Sequence, residues 1–152
     1  MKKITVMVIV VFAAGIISNP VHAATFGYID VQKVFSSYGK TKRTEEELKK
    51  KEQGIKDEVV RKQKQIEKEK NNNMSDGDLQ KLAEKFEKEL EPQKADLMEL
   101  QNKKMLEIQN DIMKASEITA QAMGIEIVLD KQAVVTGGID ISDKVINQLN
   151  KK

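Results

Sequence analysis

From Thr41 to about Ala122 the chain is charge-dense and helically spaced, with one break at Asn71-Asn72-Asn73-Met74-Ser75-Asp76-Gly77. Before the break Leu48, Ile55, Val59 and Ile66 are separated by seven, four and seven residues. That spacing is a heptad seam in which about every second position is charged. Thr41 or Thr44 is the expected N-cap, with Glu47 closing a capping box on Thr44. After the break, Ser75 followed by Asp78 predicts a second cap. The returning helix then presents Leu79, Leu82, Phe86 and Leu90 and shifts phase near Pro92. It resumes as Met105, Ile108, Ile112, Ala115, Thr119 and Ala122, and Gly124 ends it in the left-handed conformation. The apolar pattern is densest in this last stretch and sparsest toward Asn71. At 1.5 Å per residue the limbs reach about 45 and 70 Å, too long to curl into one globule. A helical hairpin follows.

Both ends carry β signals. Phe26 to Val31 predicts a strand with Ile29 and Val31 on one face, and Val31, Val34 and Phe35 then recur at helical spacing up to about Gly39. On the far side, Ile125 to Leu129 predicts a second strand and Ala133-Val134-Val135 a third. Gly137-Gly138 reads as a hairpin turn, and Asp140 as the cap of a last helix with Ile141, Val145, Ile146 and Leu149 on its apolar face. The fold class is therefore α+β, a long antiparallel helical hairpin resembling a coiled-coil tentacle on a small β-sheet oligomerisation body. Residues 24–40 and 124–152 form the body; residues 41–123 form the arm, with its turn at 71–77. About 50 residues are too few for an independent core of ordinary stability, and open sheet edges invite pairing. A homo-oligomer joined at its sheets, arms projecting together, is expected.

Residues 1–23 read as a signal peptide, with a basic start at Lys2 and Lys3, an apolar run from Ile4 to Ile17 and small residues at Ala23 and Ala24 for cleavage. The run is short for a membrane span. Cleavage removes Lys2 and Lys3 from 26 basic residues, leaving 24 against 24 acids. A neutral mature chain lacks the long-range field that draws a protein to nucleic acid or an anionic membrane. Locally, Lys40 to Lys70 holds twelve basic residues against eight acids, and Asp76 to Asp111 ten acids against six lysines, so the folded limbs attract. The mature chain has no Cys, His or Trp. Thiol nucleophiles, imidazole bases and the common zinc sites are thereby excluded, and no cofactor, metal site or enzymatic activity is expected.

The remaining motifs are weak. Lys49-Lys50-Lys51 has no aromatic residues around it for base stacking and is read as a solvated helix face. Asp76-Gly77-Asp78 lacks the ligand ladder of a calcium loop. Met98 and Met113, together with Phe86, are deformable or large apolar residues suited to varied partners, whereas Met105 keeps the seam phase. Gly54 and Pro92 are the expected points of arm flexibility.

Two segments carry a family resemblance. Phe26-Gly27-Tyr28-Ile29-Asp30-Val31-Gln32-Lys33-Val34-Phe35, followed by Ser37-Tyr38-Gly39-Lys40, resembles the mature start of the Skp/OmpH family of periplasmic chaperones. Gly124-Ile125-Glu126-Ile127-Val128-Leu129-Asp130 and Gly138-Ile139-Asp140-Ile141-Ser142 resemble its ending. The resemblance implies a homotrimer with a β-barrel-like body and three helical tentacles that hold unfolded outer-membrane proteins without ATP. It assigns Ile29, Val31, Ile127, Val128 and Leu129 to the body, with Val34 and Phe35 packed beneath. Members are often strongly basic; this neutral chain is expected to touch lipopolysaccharide or membrane weakly at most. A structural or adaptor coiled coil of the cell envelope is the alternative.

Overall fold

The computed structural model describes residues 24–151; the expected leader and Ala23 lie outside them. Strand β1 (Phe26–Ile29) and helix α1 (Val31–Ser37) lead into the arm, made of α2 (Gly39–Asn71) and α3 (Asp76–Ala122). The chain then returns through β2 (Ile127–Asp130), a 3-10 turn (Lys131–Ala133), β3 (Ile139–Asp140) and α4 (Ser142–Leu149). The architecture is α+β, a long helical hairpin on a small three-stranded sheet.

The sheet order is β2-β1-β3, and both outer strands run parallel to β1, with Phe26 opposite Ile127 and Gly27 opposite Ile139. Parallel neighbours need long crossovers. The whole arm supplies one of them, and residues 131–138 supply the other. This corrects two expectations. Gly137 and Gly138, with φ of +80° and +85°, turn a crossover and not a hairpin. Ala133-Val134-Val135 is not a strand either: it joins no ladder among the described residues, and Val135 is 100% exposed. Gly27 lets the sheet pack closely, since a Cβ there would stand 3.0 Å from Ile125 Cδ1.

The core sits where this sheet, α1, α4 and the near end of α3 meet. Ile29, Val34, Ile108, Ile112, Ile125, Ile141 and Val145 are buried there, with Phe35, Tyr38 and Val128 packed alongside. Ser142 ties the layers, its hydroxyl accepting from the Asp30 amide at 2.8 Å and donating to the Asp140 carboxylate at 2.6 Å. Asp140 also accepts from the Ser142 amide, but it stands one residue ahead of the cap position: Ile141 is the N-cap of α4 and no side chain caps it. Val31 does not continue the strand as predicted. Asp30 accepts from the Lys33 amide and starts α1, which turns Val31 out of the strand and leaves it exposed.

Neither Thr41 nor Thr44 caps the first limb. Helix α2 begins two residues before Thr41, behind Tyr38, and the Gly39 amide donates to Asn150 Oδ1 at 2.9 Å. Asn150 also donates to the Ser37 carbonyl at 3.0 Å. A side chain from the far end of the sequence thus satisfies the orphan amide, and both threonines are buried in the seam. At the other end of the arm Ser75 caps α3 through the Asp78 amide, as the sequence indicates. Met123 and Gly124 close α3 with a Schellman arrangement: Ile125 N–H reaches Ala120 O at 2.9 Å and Gly124 N–H reaches Gln121 O at 3.2 Å. Gly124 adopts φ +65°.

Candidate functional site

The seam of α3 does not change phase at Pro92, contrary to the sequence reading. Leu79, Leu82, Phe86, Leu90, Gln93, Leu97, Leu100, Lys104, Ile108 and Asp111 form a continuous buried or half-buried row at three- and four-residue steps, and the helix is unbroken across the exposed proline. The apolar pattern misleads because Gln93 and Lys104 fill seam positions. Gln93 donates to Glu58 at 2.9 Å, and Lys104 pairs with Glu47 at 3.2 Å. With the seam occupied, Met105 is turned out and is exposed.

Met98, Leu106 and Met113 are 65%, 60% and 61% exposed. Successive helical residues are rotated by about 100°, so these three and Met105 share the flank and back of α3, away from α2. They form an exposed apolar ridge on an otherwise polar helix face. Phe86 does not belong to it. It is 8% exposed and lies between the limbs, with the Lys62 ammonium 4.4 Å from its ring centre. Lys62 also pairs with Glu89, and with Glu58 at 3.5 Å. The ion pair with Glu89 raises the Lys62 pKa and holds the Glu89 carboxyl below its ordinary value. With buried Leu90, these groups clasp the outer arm.

A second clasp stands at the root. Asp111 accepts from Tyr38 Oη and from Lys40 Nζ, each at 2.9 Å, and Glu107 lies 3.3 Å from Lys40. Burial first and the Asp111 contact second push the Tyr38 pKa up, and Asp111 raises that of Lys40. Between the clasps no residue is buried, either from Glu45 to Val60 on α2 or from Glu91 to Glu107 on α3. Two clefts of about 360 and 310 Å³ flank this middle section, both lined by Ile55 and Leu97. Gly54 borders the first cleft, and a Cβ on it would meet nothing within 4 Å.

A groove of about 730 Å³ lies at the root, between α1, α3 and β2. Ile29, Phe35, Met105, Met113 and Val128 contribute to its apolar lining. Of the expected body residues, Ile29 and Val34 are core, Phe35 and Val128 half-buried, and Ile127 and Leu129 are 41% and 39% exposed on the sheet. Sequence reasoning missed the groove, because Gln109, Ser116 and Gln121 interrupt its apolar pattern. Among the described residues no cluster of three or more metal-ligating side chains occurs, and no helix is long and apolar enough to cross a membrane.

The described residues thus form a hairpin arm with exposed apolar residues on its outer face, set on a small sheet that exposes apolar residues of its own. The OmpH-like outer membrane protein family matches residues 25–149, and the chain belongs to that family. This is a family of periplasmic chaperones associated with outer-membrane proteins. No curated protein matches the chain.

Proposed function

We propose that this protein is an ATP-independent holdase of the periplasm, exported by a cleaved leader, whose homotrimer encloses unfolded outer-membrane proteins between its arms. The observation that carries this reading is the exposed ridge of Met98, Leu106 and Met113 on an arm whose seam is already filled. Methionine and leucine make a deformable apolar surface that accepts many sequences. One ridge gives only weak contact. Several arms acting on one chain raise the local concentration of contacts, so capture comes from multivalency and needs no deep pocket or nucleotide.

Exposed Phe26, Ile127, Leu129 and Ile139 favour self-association of the body. Three-fold symmetry is carried by the family resemblance. The balanced charge of the mature chain leaves nucleic acid outside the expected partners and lipopolysaccharide a weak one at most.

Dilution of a urea-denatured outer-membrane β-barrel into buffer, followed by light scattering, tests the reading. Stoichiometric protein should suppress aggregation without ATP, and replacing Met98 and Leu106 by Ser should reduce that suppression. Unchanged aggregation in the presence of the native protein would instead favour an adaptor that only tethers envelope components.

A further inference from the structure

Residues 24–151 contain five methionines, Met74, Met98, Met105, Met113 and Met123, and none of them is buried. With no Cys, His or Trp in the mature chain, their thioethers are the side chains most open to two-electron oxidants. The five differ in their surroundings. Met123 packs against the body core, Met105 and Met113 line the root groove, and Met74 is half-buried in the turn. Met98 is the most exposed, at 65%, and stands in the loosely packed middle of the arm. The seam beside it is held by Leu97, so a polar atom on Met98 disturbs no packed core.

What singles out Met98 further is the cleft of about 310 Å³ that it lines together with both limbs. Lys94 and Gln101 line that cleft from α3, about one turn to either side of Met98, and Lys56 lines it from α2. Among the described residues no ion pair or hydrogen bond engages either ammonium group. A thioether is too weak an acceptor to use those donors, whereas a sulfoxide oxygen is a strong one. The lining holds two lysines against one acid, Glu52, which suits the negative end of an S–O dipole.

We propose that Met98 is a reversible oxidation site that turns capture down: as a thioether it belongs to the exposed ridge, and as a sulfoxide it folds into the cleft against Lys56 and Lys94. This regulation rests on the holdase reading above and acts on the same surface. The oxidant is a peroxide or hypochlorite. The sulfur lone pair attacks the electrophilic oxygen, and an S–O bond forms as the O–O or O–Cl bond breaks. From hydrogen peroxide the departing hydroxide takes the proton of the transferred oxygen and leaves as water; from hypochlorite chloride leaves. Sulfur loses two electrons and the oxidant gains them. A thiol reductant reverses the step, releasing the oxygen as water and ending as a disulfide. Oxidation thus removes an apolar contact from each arm, and multivalent capture multiplies a small loss per arm. It also adds a bond between the limbs where the seam is least filled.

Full-length mature protein would be treated with hydrogen peroxide, and sulfoxide at each methionine followed by peptide mass spectrometry. Samples along the course would be tested for suppressing aggregation of a urea-denatured outer-membrane β-barrel. Met98 should oxidise several-fold faster than half-buried Met123, with the circular dichroism unchanged. The protein concentration giving half suppression should rise by about threefold or more as Met98 is converted, and Met98→Leu should resist most of that loss. Amides of residues 52–56 and 94–101 should exchange about threefold more slowly in the oxidised protein, and joint Lys56→Ala and Lys94→Ala substitution should abolish the slowing. Met98 oxidising no faster than Met123, an equal loss of suppression in Met98→Leu, or exchange that is unslowed or slowed without the lysines overturns the site and leaves the holdase reading standing. Native protein that fails to suppress aggregation before any oxidant is added overturns both.

Discussion

The root of the arm and its middle are built from the same two helices, yet they are held in different ways. At the root, Ile108 and Ile112 are buried against the body core, Thr41 and Thr44 are small enough to bury in the facing limb, and Asp111 gathers Tyr38 and Lys40. In the middle, Ile55 and Leu97 are half-buried with a cleft on either side, and Gln93 and Lys104 replace apolar seam residues. Packing tightens again farther out at Phe86 and Leu90. The arm is therefore packed tightly, loosely and tightly along its length, and bending is expected where dispersion contacts are fewest.

The largest expected effect comes from a matched pair of truncations. Ile108→Ala removes a side chain that is 1% exposed and should cost about 2 to 5 kcal/mol in urea denaturation, the range for cavities that cannot collapse. Ile55→Ala removes the same atoms from a site already open to solvent and should cost about 1 kcal/mol or less. Equal costs would erase the distinction between root and middle. Next in size is Phe86→Ala. It should lower the local opening free energy of the outer arm by about 3 kcal/mol, read as faster amide exchange around residues 58–66 and 82–90, with root amides unchanged. Faster exchange throughout the molecule would show that the arm is one cooperative unit and that the outer clasp has no separate identity.

How far this architecture is legible in the sequence depends on which interactions enforce it. Helix limits around Ser75 and Gly124 can be read because a side-chain cap and a left-handed glycine are local chemistry. The start of α2 cannot, since Asn150 supplies its first acceptor from more than a hundred residues away. The apolar pattern places a phase shift at Pro92 because it counts Met105 as seam. Ion and amide pairs hold Gln93 and Lys104 there instead, and a hydrophobicity pattern is blind to them. The pattern also thins steadily toward Asn71, whereas the structure thins the seam in the middle and restores it at Phe86. Of the residues expected to face a partner, Met98 and Met113 are exposed, whereas Phe86 is buried between the limbs with Lys62 of the opposite limb over its ring, a contact that no local pattern reveals. The parallel sheet is invisible for a general reason. Strand direction is fixed by long crossovers, not by strand residues.

A smaller effect of opposite sign sharpens the comparison at the loose section. Gly54 lies inside α2 with open space where a Cβ would go. Gly54→Ala should therefore stabilise the helix by about 0.5 to 1 kcal/mol, by reducing the freedom of the unfolded chain and adding no strain. Pro92→Ala restores a backbone donor on the exposed face of α3. The pair should slow amide exchange in the middle of the arm and leave root and outer clasp as they are. If bending there serves capture, the double variant should also change the rates at which an unfolded β-barrel is bound and released. Slower exchange with both rates unchanged would separate looseness from function.

The smallest effect is electrostatic and acts on the outer clasp. Glu89 is held below its ordinary value of 4.5 by Lys62, and Lys62 above its ordinary value of 10.5 by Glu89. For the carboxyl, a folded pKa below the unfolded one gives stability that is complete above about pH 4.5 and lost as pH falls through the folded value. For the ammonium, the raised pKa gives stability that is complete below about pH 10.5 and lost as pH rises through the folded value. The clasp is thus whole between those limits and weakens in acid. Asp30 and Asp140 in the body are also held low, the first by the Lys33 amide and then Lys131, the second by Ser142, so acid loosens the body as well. Glu89→Gln isolates the arm's share. The variant should lose the acid dependence of exchange at residues 58–66 and 82–90 and keep that of the body, and added salt should shrink the difference because the pair is open to solvent on the Glu89 side. An acid response in the outer arm that survives Glu89→Gln would mean that the clasp is held by Phe86 and Leu90 alone, with the ion pair contributing nothing measurable.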